Sequence, residues 1–194
     1  MTDMFSPSSD SFPTGNRALL TNLLQPILTA AIQATDAARG NIQLLDVDRS
    51  ILRIVVHQGF DEPFLSYFSS VHEDRFGCGT AMKRRKRTVV KDVQESPLFT
   101  EEARQVMIAA RALACQSTPL ITSDGKMVGM MSTHFSEPHL PTTRQLKRVD
   151  TLAERAAALI GRIRHEEVLS VDIRKLIDQL REDSEKTRIV RSKP

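Results

Sequence analysis

The stretch from Cys115 to Phe135, CQSTPLITSDGKMVGMMSTHF, constrains the fold of this chain more than any other. Asp124-Gly125 predicts a tight turn at its centre, because glycine adopts positive φ without steric cost. The flanks are rich in apolar and β-forming residues, and the second has no charge from Met127 onward. Gly129 interrupts the second flank, which predicts that another backbone or a ligand approaches closely there. The sequence therefore predicts a central β-hairpin.

The chain before this hairpin begins with a helical pattern that leads into two β-rich runs. Apolar residues recur every three or four positions over residues 19–32, which predicts an amphipathic helix. Pro26 within it predicts a bend or a break, and we expect Gly40 to end the helix. The runs 41–47 and 51–57, with a turn signal between them, predict an antiparallel hairpin.

Shorter elements are predicted between the two hairpins. Residues 62–70 carry Phe, Leu and Tyr in the pattern of a short helix, and 78–86 favour another. Residues 88–93 favour a strand. Residues 100–110 predict a helix, in which Thr100 serves as the N-cap.

The C-terminal part of the chain carries a long helical pattern from Pro141 to about Thr187. Its first half has one apolar face that ends at Ile163. Its second half carries apolar residues at the spacing of a coiled-coil seam, namely Leu169, Ile173, Leu176 and Leu180. Such a helix requires a partner, since it has no core of its own to cover.

The order of these elements predicts an α+β fold around a central antiparallel sheet of five or six strands. We expect the first and last helices on one face of the sheet and the short helices of residues 61–110 on the other. With 194 residues, 40% of them hydrophobic and 26% charged, the chain has the composition of a globular protein.

Composition and charge exclude several other classes of protein. No apolar run is long enough to span a membrane, and the first residues lack the features of a signal peptide, so we expect a cytoplasmic protein with no membrane association. Five basic residues occur together at 83–87. Neither interleaved aromatic residues nor a DNA-binding motif accompanies them, which favours a solvated surface over a nucleic-acid site.

The sequence predicts neither a catalytic constellation nor a metal site. No GxSxG, HExxH, SxxK or glycine-rich phosphate loop is present, and no two histidines have helical i, i+4 spacing. Cys78 follows a glycine at a predicted helix start, where a thiol pKa can fall, but a small buried residue is the commoner case. His134 favours a hydrogen-bonded strand histidine over a metal or haem ligand. No cofactor is identified.

Four segments carry a resemblance to a known family. They are 78–81 (CGTA), 89–99 (VVKDVQESPLF), 116–120 (QSTPL) and 129–135 (GMMSTHF). Together with the late hairpin and the long terminal helix, they resemble the GAF domains found beside PAS domains and sensor histidine kinases. The resemblance covers roughly residues 17 to 163 and implies a sensor fold. We accordingly expect a flexible arm over 1–15, a GAF domain over 16–163 and a signalling or coiled-coil helix with a tail over 164–194.

The chain departs from three GAF subclasses with known chemistry. Free methionine sulfoxide reductases have a similar Cys-Gly-x-Ala element, but their second, reducing cysteine is missing from residues 98–107. Cys115 is followed by Gln116, so the Cys-His element that attaches a bilin is absent. The Asn-Lys-Phe-Asp-Glu pattern of cyclic-nucleotide-binding members is absent too. We therefore expect a protein that is not an enzyme.

We expect a signalling sensor that binds a small molecule between the sheet and the short helices. Residues chosen by position for the pocket wall are Phe64, Phe68, Cys78, Ala81, Asp92 and His134. Binding would change the packing of the terminal helices in a homodimer that pairs through residues 17–37 and 143–182. An alternative is a ligand-free scaffold that docks on a histidine kinase or response regulator. A thiol-based redox protein that uses Cys78 and Cys115 is a third possibility.

Overall fold

The computed structural model describes residues 14–72 and 76–191, with side-chain environments described for residues 18–72 and 76–181. The chain divides into two compact units, Met1–Leu159 and Ile160–Pro194. Most of the arm expected over residues 1–15 lies outside the described residues, and residues 14 and 15 already belong to the first helix. The three domain limits remain a prediction.

One six-stranded sheet forms the centre of the first unit. Its strands are β1 Arg39–Asp46, β2 Ile51–Gln58, β3 Ser70–His72, β4 Thr88–Val90, β5 Ala114–Ile121 and β6 Met127–Phe135. They pair antiparallel throughout, in the order β3-β2-β1-β6-β5-β4. The predicted fold class is confirmed. The short edge strand β3 is an addition, because its three residues carry no alternation that a sequence pattern can detect.

The central hairpin consists of β5 and β6. At its turn the Thr122 N–H donates to the Lys126 carbonyl at 2.9 Å, and Gly125 has a φ of +81°. A Cβ at Gly129 would lie only 2.3 Å from the backbone oxygen of Gln43 on β1. The predicted close approach at Gly129 is therefore confirmed, and the neighbour is the β1 backbone.

Five helices surround the sheet: α1 Thr14–Thr35, α2 Glu62–Tyr67, α3 Phe76–Arg84, α4 Glu101–Ala109 and α5 Thr143–Arg191. The N-cap predicted for α4 is confirmed, because the Thr100 hydroxyl accepts a hydrogen bond from the Ala103 N–H at 3.3 Å. α1 passes through Pro26 without a break. The prediction that it ends at Gly40 is wrong: Asp36, with a φ of +55°, ends the helix after Thr35, and Gly40 lies in β1.

The two faces of the sheet pack against different helices. α1 lies on one face, where a Cβ at Gly40 would come within 3.0 Å of Leu28 and Ile32. The start of α5 joins this layer, since the Gln145 side chain donates to the Thr35 carbonyl at 3.1 Å. The short helices pack on the opposite face, in an apolar core that includes Leu52, Phe64, Phe76, Met82, Ala103, Met107, Cys115 and Met130.

The second unit consists of the continuation of α5 from Ile160. Its described side chains include a series of apolar residues that are 43–60% exposed: Val168, Leu169, Val171, Ile173, Leu176, Ile177 and Leu180. None of the helices that the structure describes is both long and apolar enough to cross a membrane.

Candidate functional site

A small cavity lies between the sheet and the short helices. Its volume is about 20 Å³, which is room for about one water molecule. Apolar side chains form one side, namely Phe64, Phe68, Val71, Phe76, Phe99 and Met107. The sheet and the start of α3 supply the other side with Asn41, Gln43, Gly77, Cys78, Cys115 and His134. A mainly aromatic wall thus faces a patch of polar side chains.

Four of the six residues expected in a pocket wall line this cavity: Phe64, Phe68, Cys78 and His134. Ala81, which is fully buried in the apolar core, does not line it. Asp92 does not line it either. Its carboxylate accepts a hydrogen bond from the Gln94 N–H at 2.8 Å, which stabilises the turn after β4.

His134 presents an uncharged imidazole to the cavity. It is 4% exposed, and burial, reinforced by the positive charge of Arg39, lowers its pKa to about 3. Its Nε2 lies 3.5 Å from Asn41 Nδ2, while Nδ1 has no hydrogen-bond partner. The ring stands edge-on to Phe60 and Phe64, with centroid distances of 5.0 and 5.7 Å.

Asn41 and Gln43 complete the polar patch from β1. They are 3% and 1% exposed, yet Asn41 Oδ1 and Gln43 Oε1 have no hydrogen-bond partner. Sequence reasoning missed both. Their signal is the alternation of polar residues with Ile42 and Leu44 in β1, which usually indicates a strand with one face in water.

Cys78, which is half-buried, joins the buried hydroxyls of Ser117 and Ser132 in a cluster beside the cavity. Its Sγ lies 3.3 Å from Ser117 Oγ and 3.4 Å from Ser132 Oγ, and the two hydroxyls are 2.9 Å apart. Burial raises the pKa of the Cys78 thiol, and it raises the pKa of Cys115 as well. Both thiols are therefore protonated near neutral pH, which disfavours nucleophilic chemistry.

The other face of the same strands carries a fully bonded polar chain. Gln116 donates from Nε2 to Thr133 Oγ1 at 3.2 Å and accepts from Thr118 Oγ1 at 2.7 Å. Thr118 accepts from Arg87 Nε at 2.8 Å. The Arg87 guanidinium in turn pairs with Asp150 of α5. These contacts join β5 and β6 to the first part of α5.

Metal binding has no support in the part of the chain that the structure describes. Among residues 14–72 and 76–191, no group of three or more His, Cys, Asp or Glu side chains could hold a metal ion.

Comparison with solved structures finds the same fold in proteins of different kinds. A domain assigned to a two-component sensor histidine kinase of Sinorhizobium meliloti superposes with a TM-score of 0.65 at 21% identity, over 77% of this chain and 96% of that one. The type II free methionine-R-sulfoxide reductase of Thermoplasma acidophilum gives 0.62 at 10% identity, over 76% of this chain and 96% of that one. At such identities the likeness concerns the fold.

Sequence comparison adds a relative and a family. The methyl sulfide methyltransferase-associated sensor of Methanosarcina acetivorans is 28% identical over 92 residues, which are 47% of this chain and 9% of that protein. The match thus spans a small part of that relative. A family model described as GAF domain matches residues 18–161. The chain therefore belongs to the GAF domain family.

Proposed function

We propose that this chain is a non-enzymatic signalling sensor that binds a small molecule in the cavity and transmits binding through its terminal helices. One observation carries the proposal. Three side chains that are at least 96% buried, Asn41, Gln43 and His134, line the same cavity and each has a polar atom without a partner. Buried polar atoms normally have partners, so a ligand that supplies them would bind there with a gain in free energy.

A route from the cavity to α5 supports the transmission step. Ser117 and Ser132 face the cavity side of β5 and β6, while their neighbours Gln116, Thr118 and Thr133 face the α5 side. Side chains alternate along a strand, so a shift of these strands on ligand binding displaces both sets. Arg87 links the second set to Asp150 and to the Leu146 carbonyl. A ligand changes the position of α5 only to the extent that it binds one arrangement more tightly.

Exposed apolar side chains support the homodimer. In the second unit, the seam residues Leu169, Ile173, Leu176 and Leu180 are 47–60% exposed, and in the first unit Leu19 and Leu23 of α1 are 48% and 39% exposed. Two copies that pair through α1 and α5 would cover these residues. A chain truncated after Ile163 should then dimerise more weakly, which sedimentation analysis measures. A truncated chain that dimerises as strongly as the full chain would show that the seam residues do not form the dimer contact.

Native mass spectrometry of gently purified protein tests the function directly. We expect a dimer that carries a small molecule, and the mass of that molecule reports its chemical class. A monomer would contradict the pairing of helices. A dimer whose cavity takes no small molecule in subsequent screening would contradict the sensor.

The volume of the cavity favours a second candidate function. At about 20 Å³ the side chains fill nearly all of the space, which also suits a scaffold that binds no ligand and docks its long helix on a histidine kinase or response regulator. The two candidates differ in one respect: a scaffold retains its partner when Gln43 and Asn41 are replaced by apolar residues, whereas a sensor loses its response.

A further inference from the structure

The cavity has no charged side chain in its described lining. The residues that surround it are aromatic, aliphatic, thiol, amide and imidazole groups, and none is Lys, Arg, Asp or Glu. Burial keeps His134 neutral, because it lowers the pKa of the ring to about 3. A charged ligand would lose its hydration here, which is strongly unfavourable because no charged side chain lines the cavity to replace it. Arg39, whose charge acts on His134, lies outside this lining and donates its hydrogen bonds to the Arg111 carbonyl and Ser136. The cavity therefore selects an uncharged ligand.

The unpartnered atoms define a pattern of hydrogen bonds. When Asn41 Nδ2 donates to His134 Nε2, the neutral ring carries its proton on Nδ1, and the unpartnered atoms are one donor, Nδ1, and two acceptors, Asn41 Oδ1 and Gln43 Oε1. If the Asn41 amide is turned over, Nδ2 becomes the free donor and Nδ1 an acceptor. The pattern of two acceptors and one donor is the same in both cases.

We propose that the cavity binds a compact, uncharged molecule through a carboxamide-type group, whose two N–H donors and one carbonyl oxygen complement this pattern. The proposal rests on the proposed sensor function and specifies the ligand class. A primary carboxamide carries all three groups, whereas a ring amide has a single N–H and would leave one of the two acceptors without a partner. The apolar wall of Phe64, Phe68 and Phe76 suits an aromatic or aliphatic body on such a ligand.

The ligand enters by displacing part of the aromatic wall. The space of about 20 Å³ holds no more than about one water molecule, so the rings must separate. Phe60 and Phe64 are stacked with their centroids 3.7 Å apart, directly beside His134. A flat ligand can replace contacts between these rings by contacts with itself, while its amide group removes the desolvation penalty of the three unpartnered atoms.

Two probes of nearly equal shape test this proposal on the full chain: benzamide, which is neutral, and benzoate, which is charged. Protein NMR titration follows the side-chain amide signals of Asn41 and Gln43, each identified by its loss in the corresponding leucine variant, so that the remaining amide reports binding in each variant. We expect benzamide to bind at least about tenfold more tightly than benzoate. Gln43→Leu should weaken benzamide binding by about tenfold, because an N–H loses its acceptor. Asn41→Leu is a second variant of the same design.

Gln58→Leu is the matched control, since Gln58 lies on the opposite face of the sheet, where its Oε1 accepts from the Thr29 hydroxyl, and it has no part in the contacts that join the sheet to α5. Its affinity for benzamide should equal that of the wild type. If benzoate binds in the cavity as tightly as benzamide, the claim that the ligand is uncharged is wrong, while the sensor function is unaffected. Benzamide affinity that is the same in Gln43→Leu, Asn41→Leu and wild type would overturn the hydrogen-bond pattern.

Failure of both probes to shift the cavity signals would overturn the carboxamide proposal. Native mass spectrometry of the purified chain then separates the two claims. A bound molecule of another chemistry keeps the sensor function, whereas failure of every screened molecule to bind removes it together with the proposal.

Discussion

The two faces of the central sheet bury the same kinds of polar residue, but in the described strands the buried polar side-chain atoms that lack a hydrogen-bond partner all lie on the cavity side. Gln116 is fully buried on the α5 side, where its amide both donates to Thr133 and accepts from Thr118. Gln43, which is 1% exposed, lies on the cavity side, and its Oε1 has no partner. Two glutamines that are equally buried thus differ in their hydrogen bonds: the amide of Gln116 is bonded at both atoms, whereas the carbonyl oxygen of Gln43 has no partner.

Under the proposed sensor function, this difference separates polar groups that hold the fold from polar groups that a ligand would bind. A buried network with every group bonded makes packing specific, whereas an incompletely bonded one is costly to the native state. The network on the α5 side is fully bonded, and the polar group on the cavity side is incompletely bonded. We therefore expect substitutions on the two sides to change stability differently.

The largest loss of stability is expected at Gly129, where the backbones of β6 and β1 come close together. Gly129→Ala places a Cβ 2.3 Å from the Gln43 carbonyl oxygen, so β1 and β6 must separate. We expect a loss of about 3 kcal/mol in the free energy of unfolding, measured by urea denaturation.

Gly125→Ala is the control for this substitution. Gly125 has positive φ, but a Cβ added there would meet no atom within 4 Å, so its replacement should cost about 1 kcal/mol from backbone strain alone. Equal losses in the two variants would show that β1 and β6 do not need their close approach.

The next effect is a pH dependence that belongs to the cavity side. His134 has a native pKa of about 3, whereas the unfolded chain takes up its proton near the ordinary value of 6.5. The unfolded state therefore binds more protons between these values, and stability should fall by about 1.4 kcal/mol per unit as pH decreases below 6.5. Arg39 is the charged group that acts on the ring.

His134→Phe should lose this part of the pH dependence, as followed by denaturation at several pH values. His57→Gln is the control, because His57 is exposed on β2. A His134→Phe protein with the wild-type pH profile would mean that the native ring accepts a proton.

A smaller effect is expected on the α5 side, at Arg87. Arg87→Met removes hydrogen bonds to Thr118 and Leu146 as well as the pair with Asp150. Since the arginine side chain is 19% exposed, we expect a loss of about 2 kcal/mol in thermal or urea denaturation. Arg85→Met, which removes an exposed arginine bonded to the Gly125 carbonyl, should cost less than about 0.5 kcal/mol. Comparable losses in both variants would show that the hydrogen bonds of Arg87 to Thr118, Leu146 and Asp150 do not stabilise the fold.

The strong local patterns of the sequence predicted most of the fold. The hairpin of β5 and β6 and the Thr100 cap depend on neighbouring residues, and both are confirmed. The close approach at Gly129 is confirmed as well, because a glycine within an apolar strand indicates such an approach even when the partner is distant in sequence. The end of α1 was mispredicted because Asp36 adopts positive φ without being a glycine. Asn41 and Gln43 escaped detection since a polar alternation has the same appearance whether it faces water or a cavity. Only tertiary contacts distinguish the two.

Paired stability measurements on Gln116→Leu and Gln43→Leu test the central claim most directly. If the α5 side holds the fold, Gln116→Leu should lose about 1.5 kcal/mol in the free energy of unfolding, because it leaves Thr118 and Thr133 without this partner. If the cavity side is reserved for a ligand, Gln43→Leu should be as stable as the wild type or more stable by up to about 1 kcal/mol. A Gln43→Leu protein destabilised as much as Gln116→Leu would contradict the account.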